Sequence, residues 1–218
     1  MKSETGDHSL RLSLRVLPQV DTAKLAPYFE NMPLDPYVPG GFRHHRLSCL
    51  EWDGEKLLVR PERRIFQSAY INPIAGNIVR EYPPVQRTLL KEPSFLELVK
   101  IFHHFSGLPV KTIFDVHMLR TQVVKDNIAE AAPEGVHRDD VDFLGIFCVN
   151  RHNLKGGTTF IYQNKEDETP MLCKTLRPGE LLLVNDNHVY HYSNKVYAAG
   201  PGPAYRDVLI LTTPTLMQ

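Results

Sequence analysis

The strongest constraint on the fold is a change of sequence pattern near residue 110. Beyond it, apolar segments follow one another, separated by Gly, Pro, Asn and Asp, with no helical periodicity between them. The predicted strands are Ile113–Val124, Asp142–Val149, Thr158–Tyr162, Glu180–Asn185, Val189–Lys195 and Arg206–Thr213. Strands that succeed one another without intervening helices favour an antiparallel β-sandwich or barrel, with helices packed outside it.

The residues before this change predict helices and extended chain. Pro93–Phe105 is the clearest helix, because Ser94 and Glu97 have the spacing of a capping box and Gly107 follows as a stop signal. A shorter helix is predicted over Val20–Met32. These elements are expected to support the strands that follow.

Length and charge limit the class of protein. The 218 residues contain no repeat and no long linker, so we predict a single domain over 1–218, with residues 1–110 as helical and extended support. Lys and Arg together number 25, as do Asp and Glu, so the formal net charge is zero. A neutral chain lacks the basic excess of a dedicated nucleic-acid binder.

The cysteines and the N-terminal residues predict a cytoplasmic protein. Cys49, Cys148 and Cys173 form no C-x-x-C motif and leave one without a partner, which is typical of a reduced, intracellular chain. The sequence shows neither the apolar stretch of a signal peptide nor the run of about 18 apolar residues of a membrane span. We expect a small-molecule substrate, no nucleic acid, no membrane, and a homodimer as the candidate assembly.

Two of the ten histidines stand in a pattern that suggests a metal site. His137 and Asp139 are two residues apart, so on extended chain both side chains point to the same face and supply two-thirds of a facial triad for iron(II). The pair is a weak signal alone, because it occurs by chance in many chains. His188 and His191 are three apart and face opposite sides of a strand; we favour His191 as third ligand, since His188 adjoins a turn. Other histidines are interpreted as solvated or structural: His44, His45, His103 and His104.

One arginine lies within an otherwise apolar strand. Arg206 shares a strand face with Val208 and Ile210. An inward guanidinium is costly to bury unless an anion meets it. Two interpretations follow: a structural pair with Asp or Glu or an exit to solvent at the strand end, or a bidentate clamp on the carboxylate of a small molecule.

The order of these motifs resembles that of the iron(II)- and 2-oxoglutarate-dependent dioxygenases, and more narrowly of the free amino-acid hydroxylase subgroup that includes L-isoleucine dioxygenase. The resemblance runs over residues 115–213 and, more weakly, back through 37–46 and 66–72. It implies a mainly β fold with flanking helices around a double-stranded β-helix (jelly-roll, cupin-like) core, and it makes residues 111–218 the catalytic jelly-roll half.

Carried over by position, the resemblance implies that His137, Asp139 and His191 bind iron, and that Arg206 pairs with the distal carboxylate of 2-oxoglutarate. Fe(II), 2-oxoglutarate and O2 are then the expected cofactor and cosubstrates, and the expected reaction oxidises an unactivated C–H bond with release of succinate and CO2. Hydroxylation, desaturation and oxidative ring closure all remain open as outcomes.

The sequence departs from the family pattern two residues after the arginine. Many members have Ser or Thr there, whereas this chain has Val208. A second polar contact to 2-oxoglutarate must then come from elsewhere, and Gln122, on the strand before the H-x-D pair, is the candidate. An ordinary polar position on a strand is its alternative interpretation.

A free amino acid needs a cationic partner for its carboxylate and an acceptor for its ammonium group. Arg120, Arg138 and Asp142 are near the site in sequence and are candidates, although a surface or structural role is at least as good an interpretation for each. Gln67 and Asn72 are candidates for closing the pocket from outside the barrel.

Two other classes stay open at this point. A cupin-like metalloprotein, either an isomerase or a sensor, uses a similar barrel and a histidine-rich site without 2-oxoglutarate and does not need Arg206. A jelly-roll binding module needs neither the three candidate metal ligands, His137, Asp139 and His191, nor Arg206.

Overall fold

The computed structural model describes residues 12–62, 64–124 and 128–217 and is built mainly from antiparallel strands. The described strands are β1 (Leu12–Val16), β2 (Arg43–Trp52), β3 (Leu57–Val59), β4 (Arg64–Phe66), β5 (Val79–Glu81), β6 (Ile113–Gln122), β7 (Ile128–Ala129), β8 (Phe143–His152), β9 (Leu154–Gly156), β10 (Thr159–Tyr162), β11 (Leu172–Lys174), β12 (Glu180–Asn185), β13 (Tyr190–Ser193), β14 (Val196–Ala198) and β15 (Tyr205–Thr213). The helices are α1 (Thr22–Leu25) and α2 (Pro93–Ser106), with 3₁₀ turns at Ala26–Phe29, Leu89–Lys91 and Asp186–His188.

One large sheet faces a set of smaller ones. The large sheet has seven strands in the order β1-β12-β8-β15-β6-β2-β3, and the smaller sheets have the orders β11-β10-β13 and β7-β14-β9, with β4 paired to β5. Each of the six predicted strands is present, and β12 has the predicted bounds. The architecture confirms the predicted mainly β fold with a jelly-roll core and few helices.

The large sheet also takes strands from the first 110 residues. β2 is ten residues long and pairs with β6 along most of its length, and β1 and β3 form the sheet's edges. We did not predict β2 because its sequence, RHHRLSCLEW, places polar residues where a strand in this position ordinarily has apolar ones. Two of those polar residues, Arg43 and His45, line a cavity.

The two faces of the large sheet contact different parts of the molecule. On β15, Leu209 and Leu211 pack into the main core with Phe95 and Leu98 of α2. The alternate residues, beginning with Arg206, face the space between the sheets, because successive side chains of a strand point to opposite sides. No helix in the described residues is long and apolar enough to cross a membrane.

The capping box predicted for α2 is wrong, although the helix and its stop are confirmed. The helix begins at Pro93, and its N-cap residue makes no side-chain hydrogen bond. Ser94 Oγ instead accepts the backbone N–H of Asp21 at 3.0 Å, which ties α2 to the segment that precedes α1. Gly107 ends the helix with φ of 61°, a left-handed conformation that glycine adopts without strain.

This difference predicts unequal effects at the two capping-box positions. Ser94→Ala is expected to lower the free energy of unfolding by about 1 kcal/mol, because the N–H of Asp21 loses its acceptor. Glu97→Ala is expected to change it by less than about 0.5 kcal/mol, since the one ion pair that Glu97 makes with a described residue is a surface contact of 4.0 Å with Lys100. Urea denaturation of both variants measures these changes. Equal decreases in the free energy of unfolding would indicate that Ser94 and Glu97 form a capping box after all.

Candidate functional site

A cavity of about 1030 Å³, measured out to its mouth, opens between the large sheet and the smaller ones. It is lined by alternate residues of the central strands. From β2, β6 and β15 these are Arg43, His45, His117, Leu119, Thr121, Arg206, Val208, Ile210 and Thr212. The strand period therefore decides which side chains reach it.

The structure brings His137, Asp139 and His191 together at one end of this cavity. Their ligating atoms all lie within 4.8 Å of one another. Nε2 of His137 is 3.4 Å from Asp139 Oδ1, and Nε2 of His191 is 3.5 Å from Asp139 Oδ2. The two histidines also exchange backbone hydrogen bonds of 3.0 and 2.9 Å, so the segment before β8 is fixed against β13. His188, the rejected alternative, is exposed.

Neighbouring groups orient these three side chains. His137 Nδ1 donates to the carbonyl of Gly135 at 2.8 Å, which leaves the lone pair on Nε2 directed at the other two. Asp186, buried beside them, accepts the backbone N–H of Asp139 at 2.8 Å. Sequence reasoning missed Asp186. The available signal was its position, since it directly follows the buried strand β12 and lies five residues before His191.

The donor set fits a divalent metal ion. Nε2 of His191 is buried and makes no hydrogen bond to any described residue. Burial disfavours a charged His191, but the carboxylates of Asp139 and Asp186 outweigh it and raise the pKa of His191 to about 10. Burial likewise opposes ionisation of Asp139, but the two histidines hold its pKa well below the usual value. Two imidazoles and a carboxylate on one side of an open cavity match the facial set of iron(II) oxygenases.

Arg206 lies in the same cavity without an anionic partner among the described residues. Its side chain is 4% exposed, and its Nε and Nη2 have no acceptor there. Burial lowers the pKa of Arg206, yet an arginine stays charged in proteins. Room beside it is kept by Gly157, with φ of 66°, where a Cβ would stand 2.8 Å from the side chain of Val196 and 3.0 Å from that of Arg151.

The second predicted contact to 2-oxoglutarate, Gln122, does not line the cavity. It lies on the opposite face of β6 from His117 and Thr121. Thr121, which is buried and directly opposite Arg206 in the pairing of β6 with β15, occupies the position that we assigned to Gln122. The one-residue difference follows from strand alternation, which the sequence does not reveal until the inward face is known.

Three predicted substrate residues also lie outside the cavity lining. Arg120 forms a bidentate pair with buried Asp207, at 2.7 and 2.9 Å, on the other face of the sheet. Arg138 points away from its neighbouring candidate ligands and lies over the ring of Tyr190, 4.1 Å from its centre. Asp142 is exposed. Each has the structural or surface role that we gave as its alternative interpretation.

Gln67 and Asn72 do line the cavity. Gln67 Nε2 donates to the main-chain carbonyl of Asp139 at 3.2 Å, and its Oε1 accepts from Arg80 Nη2. Asn72 Oδ1 accepts backbone N–H groups of its own turn, from Ile74 and Ala75. Gln67 thus touches the candidate metal site, whereas Asn72 shapes the loop.

Sequence reasoning missed a polar network on β2. Arg43 Nε lies 3.3 Å from Asp35 Oδ2, and its Nη1 donates to Glu134 Oε1 at 3.1 Å. His45, which we interpreted as solvated or structural, is 2% exposed and belongs to the cavity wall. Alternation of Arg43, His45 and Leu47 along the strand was the signal that could have found it.

The contacts of His45 fix the tautomers of two histidines. Its Nδ1 lies 3.4 Å from the Asp35 carboxylate, which favours a proton on that nitrogen, so its Nε2 accepts. His117 Nδ1, 3.1 Å away, must then donate to it. The lone pair of His117 is left on Nε2, in a ring that lines the cavity. Burial lowers the pKa values of both imidazoles, which keeps them neutral.

Comparisons with known proteins agree with this geometry. A family model described as 2OG-Fe dioxygenase matches residues 26–212. The chain is 26% identical over 195 residues to the 3(1)-hydroxy-L-isoleucine 4-dioxygenase of Pantoea ananatis (strain AJ13355), covering 84% of this chain and 77% of that protein. The resemblance found in the motifs is thereby confirmed.

Solved structures share the fold. A bsmA homolog from Methylobium petroleophilum PM1 superposes with a TM-score of 0.77 at 23% identity, over 93% of this chain and 87% of that one. IDO from Bacillus thuringiensis does so with a TM-score of 0.71 at 19% identity, over 89% and 85% of the two chains. At these identities the likeness concerns the fold.

The buried histidine of β2 predicts a pH dependence of stability. Burial lowers the pKa of His45 from 6.5 to about 4, so between these pH values the unfolded chain binds a proton that the folded chain does not. The free energy of unfolding should therefore fall, relative to that of His45→Gln, by up to about 3 kcal/mol as the pH drops from 6.5 to 4. Urea denaturation of both proteins in chelator, at several pH values, measures it. Parallel curves would contradict the neutral, buried His45.

Proposed function

The chain belongs to the 2OG-Fe dioxygenase family, and we propose that it oxidises an unactivated C–H bond of a free L-amino acid, with hydroxylation as the principal outcome. As a member of that family it is a dioxygenase that uses Fe(II), 2-oxoglutarate and O2. The observation that carries the proposal is the buried, unpaired guanidinium of Arg206 in the same cavity as two imidazoles and a carboxylate.

The four residues divide into metal ligands and an anchor. His137, Asp139 and His191 hold the iron, and Arg206 binds the distal carboxylate of 2-oxoglutarate. Iron bound there with 2-oxoglutarate and O2 supplies an oxidation strong enough to break a C–H bond, coupled to release of succinate and CO2. Thr121, beside Arg206 on the neighbouring strand, replaces Gln122 as the second polar contact to the cosubstrate.

Other residues of the chain orient the candidate metal ligands and shield the cavity from water. The Gly135 carbonyl holds the His137 ring with its Nε2 toward Asp139, where it would bind the iron, and Asp186 holds the backbone of Asp139. Leu144, Ile146 and their neighbours give the cavity an apolar wall that keeps water from the oxidised carbon.

A free amino acid is supported by the relative and by the cavity. The relative's name, 3(1)-hydroxy-L-isoleucine 4-dioxygenase, describes oxidation of an amino acid. The cavity combines apolar wall residues with both cationic and anionic side chains, Arg80 and Glu134 among them, as a zwitterion with an aliphatic side chain requires. Residues 111–218 supply the candidate iron and 2-oxoglutarate ligands, and the homodimer remains a prediction.

The cupin-like alternative without 2-oxoglutarate has less support. The family match covers most of the chain, and a protein that binds no dicarboxylate leaves Arg206 buried without a partner among the described residues.

A panel of the twenty L-amino acids, scored by succinate release from the Fe(II)-loaded enzyme, tests the substrate class. An aliphatic amino acid is expected to stimulate release well above the rate without substrate. Asp139→Ala is expected to lose turnover and iron binding while keeping its melting temperature within a few degrees, and exposed Asp142→Asn serves as its carboxylate control. If no amino acid stimulates release from an enzyme that still decarboxylates 2-oxoglutarate, the substrate class is wrong.

Arg206→Met tests the cosubstrate anchor. The variant should raise the KM for 2-oxoglutarate about 100-fold, the usual effect of losing hydrogen bonds to a buried charge. It should also lose the weak visible absorption that appears when Fe(II) and 2-oxoglutarate are added without oxygen. Arg177→Met, at an exposed position, is the matched control. If the variant keeps the parent KM and absorption, Arg206 does not bind 2-oxoglutarate.

A further inference from the structure

A second buried guanidinium, that of Arg80 on β5, lies in the cavity without an anionic partner among the described residues. Its side chain is 4% exposed, its Nε has no acceptor there, and no carboxylate of the described chain forms an ion pair with it. Within the part of the chain that the structure describes, its guanidinium makes one hydrogen bond, from Nη2 to Oε1 of Gln67. Arg43, in the same cavity, is by contrast paired with both Asp35 and Glu134.

Tyr82 adds an uncharged donor beside this cation. It follows Arg80 by two residues, lines the same cavity, and is 5% exposed. Its hydroxyl is buried and makes no hydrogen bond of ordinary length among the described residues, although Arg80 lies near enough to lower its pKa, and its ring packs on that of His45 with centroids 3.9 Å apart. Burial raises the pKa of Tyr82 to about 12, so the phenol keeps its proton.

A purely structural role does not account for this pair. Even Arg120, which is only half-buried, has the buried carboxylate of Asp207 as its partner. Leaving a buried charge and a buried hydroxyl without partners is strongly destabilising, and such groups persist where a ligand completes them. The cosubstrate does not complete them, because Arg206 already provides a separate buried cation for it.

Gln67 connects this pair to the candidate iron site. Its amide accepts from Arg80 and donates to the carbonyl of Asp139. An anion bound to Arg80 would therefore be separated from the backbone of a candidate metal ligand by a single side-chain amide. This position is close enough to the candidate iron site for a group of the substrate.

We propose that Arg80 and Tyr82 form the anion subsite that binds the carboxylate of the substrate, with Gln67 setting its position relative to the iron. This inference rests on the proposed function for the identity of the substrate as an amino acid, but the anion subsite itself can be measured without turnover. It replaces Arg120 and Arg138, which point elsewhere, as the cationic partner for the carboxylate.

The experiment is calorimetric binding to the anaerobic enzyme loaded with Fe(II) and 2-oxoglutarate. The probes are L-isoleucine, 3-methylpentanoate, which lacks its amino group, and 2-methylbutylamine, which lacks its carboxylate. The proteins are the parent, Arg80→Met, Tyr82→Phe and the exposed control Arg177→Met. Tyr82→Phe keeps the ring packing, so the proposal stays testable if Arg80→Met does not fold.

We expect Arg80→Met to weaken binding of both carboxylate probes about 100-fold and Tyr82→Phe to weaken it about 10-fold. Affinity for the amine probe and for 2-oxoglutarate should stay at the parent values, and the melting temperature of the unliganded variants should not fall. Equal loss for acid and amine probes, or parent affinity for both acids in the variants, would overturn the subsite, as would a parent enzyme that binds neither acid. If the acids bind as expected but no amino acid is oxidised, the subsite stands and the proposed function fails.

Discussion

Buried positive charge is the constraint on which the rest of this structure depends. Arg206 and Arg80 carry their guanidinium groups into the space between the sheets, and the described chain offers neither a carboxylate. An unpaired buried cation opposes folding, so the surrounding sheet must overcome that opposition through its apolar face, where α2 packs on Leu209 and Leu211. The larger apolar core lies on one side of the large sheet, and the two guanidinium groups lie on the other side, beside a smaller apolar core.

Strand alternation separates these two sides residue by residue. On β15, Arg206 faces the cavity, whereas its neighbour Asp207 faces the opposite side and neutralises Arg120. The same alternation turns the side chains of His137 and Asp139 inward and that of Arg138 onto Tyr190. Arg120 and Arg206 therefore lie on paired strands but on opposite faces of the sheet: Arg120 forms an ion pair with Asp207, and Arg206 has no carboxylate partner among the described residues.

The sequence predicted the features that local pattern controls. Turn residues between apolar runs were enough for the strands of the second half, and the spacing of the H-x-D pair together with a histidine inside a later strand was enough for the candidate metal ligands. The arginine on the last strand was recognised because its neighbours are apolar. These features can be predicted because each depends on the residue types at a few neighbouring positions, which show where a strand ends and which side chains share a face.

Features that depend on contacts between remote segments could not be predicted in this way. β2 was missed because a strand that lines a polar cavity lacks the apolar alternation by which strands are recognised. Gln122 was predicted wrongly, and Thr121 was not considered, because the inward face of β6 is defined only by its pairing with β2 and β15. Arg80 lies on a short strand and Tyr82 directly follows it, and the side chains that they contact, Gln67 and His45, come from separate parts of the chain.

The peptide unit of Asp139 is held on both sides, and this links the two halves of the site. Its N–H donates to Asp186, which comes from the end of β12, and its carbonyl accepts from Gln67, which comes from the first half of the chain. A ligand carboxylate is positioned reproducibly only when its backbone is fixed, since the side chain has few torsions of its own. Because Gln67 is also hydrogen-bonded to Arg80, its one amide connects the backbone of a candidate metal ligand to the guanidinium that we propose as the anion subsite. With the proposed anion subsite, Gln67 would set the distance between the substrate's carboxylate and the iron, and a residue of the N-terminal half would help to choose which carbon is oxidised.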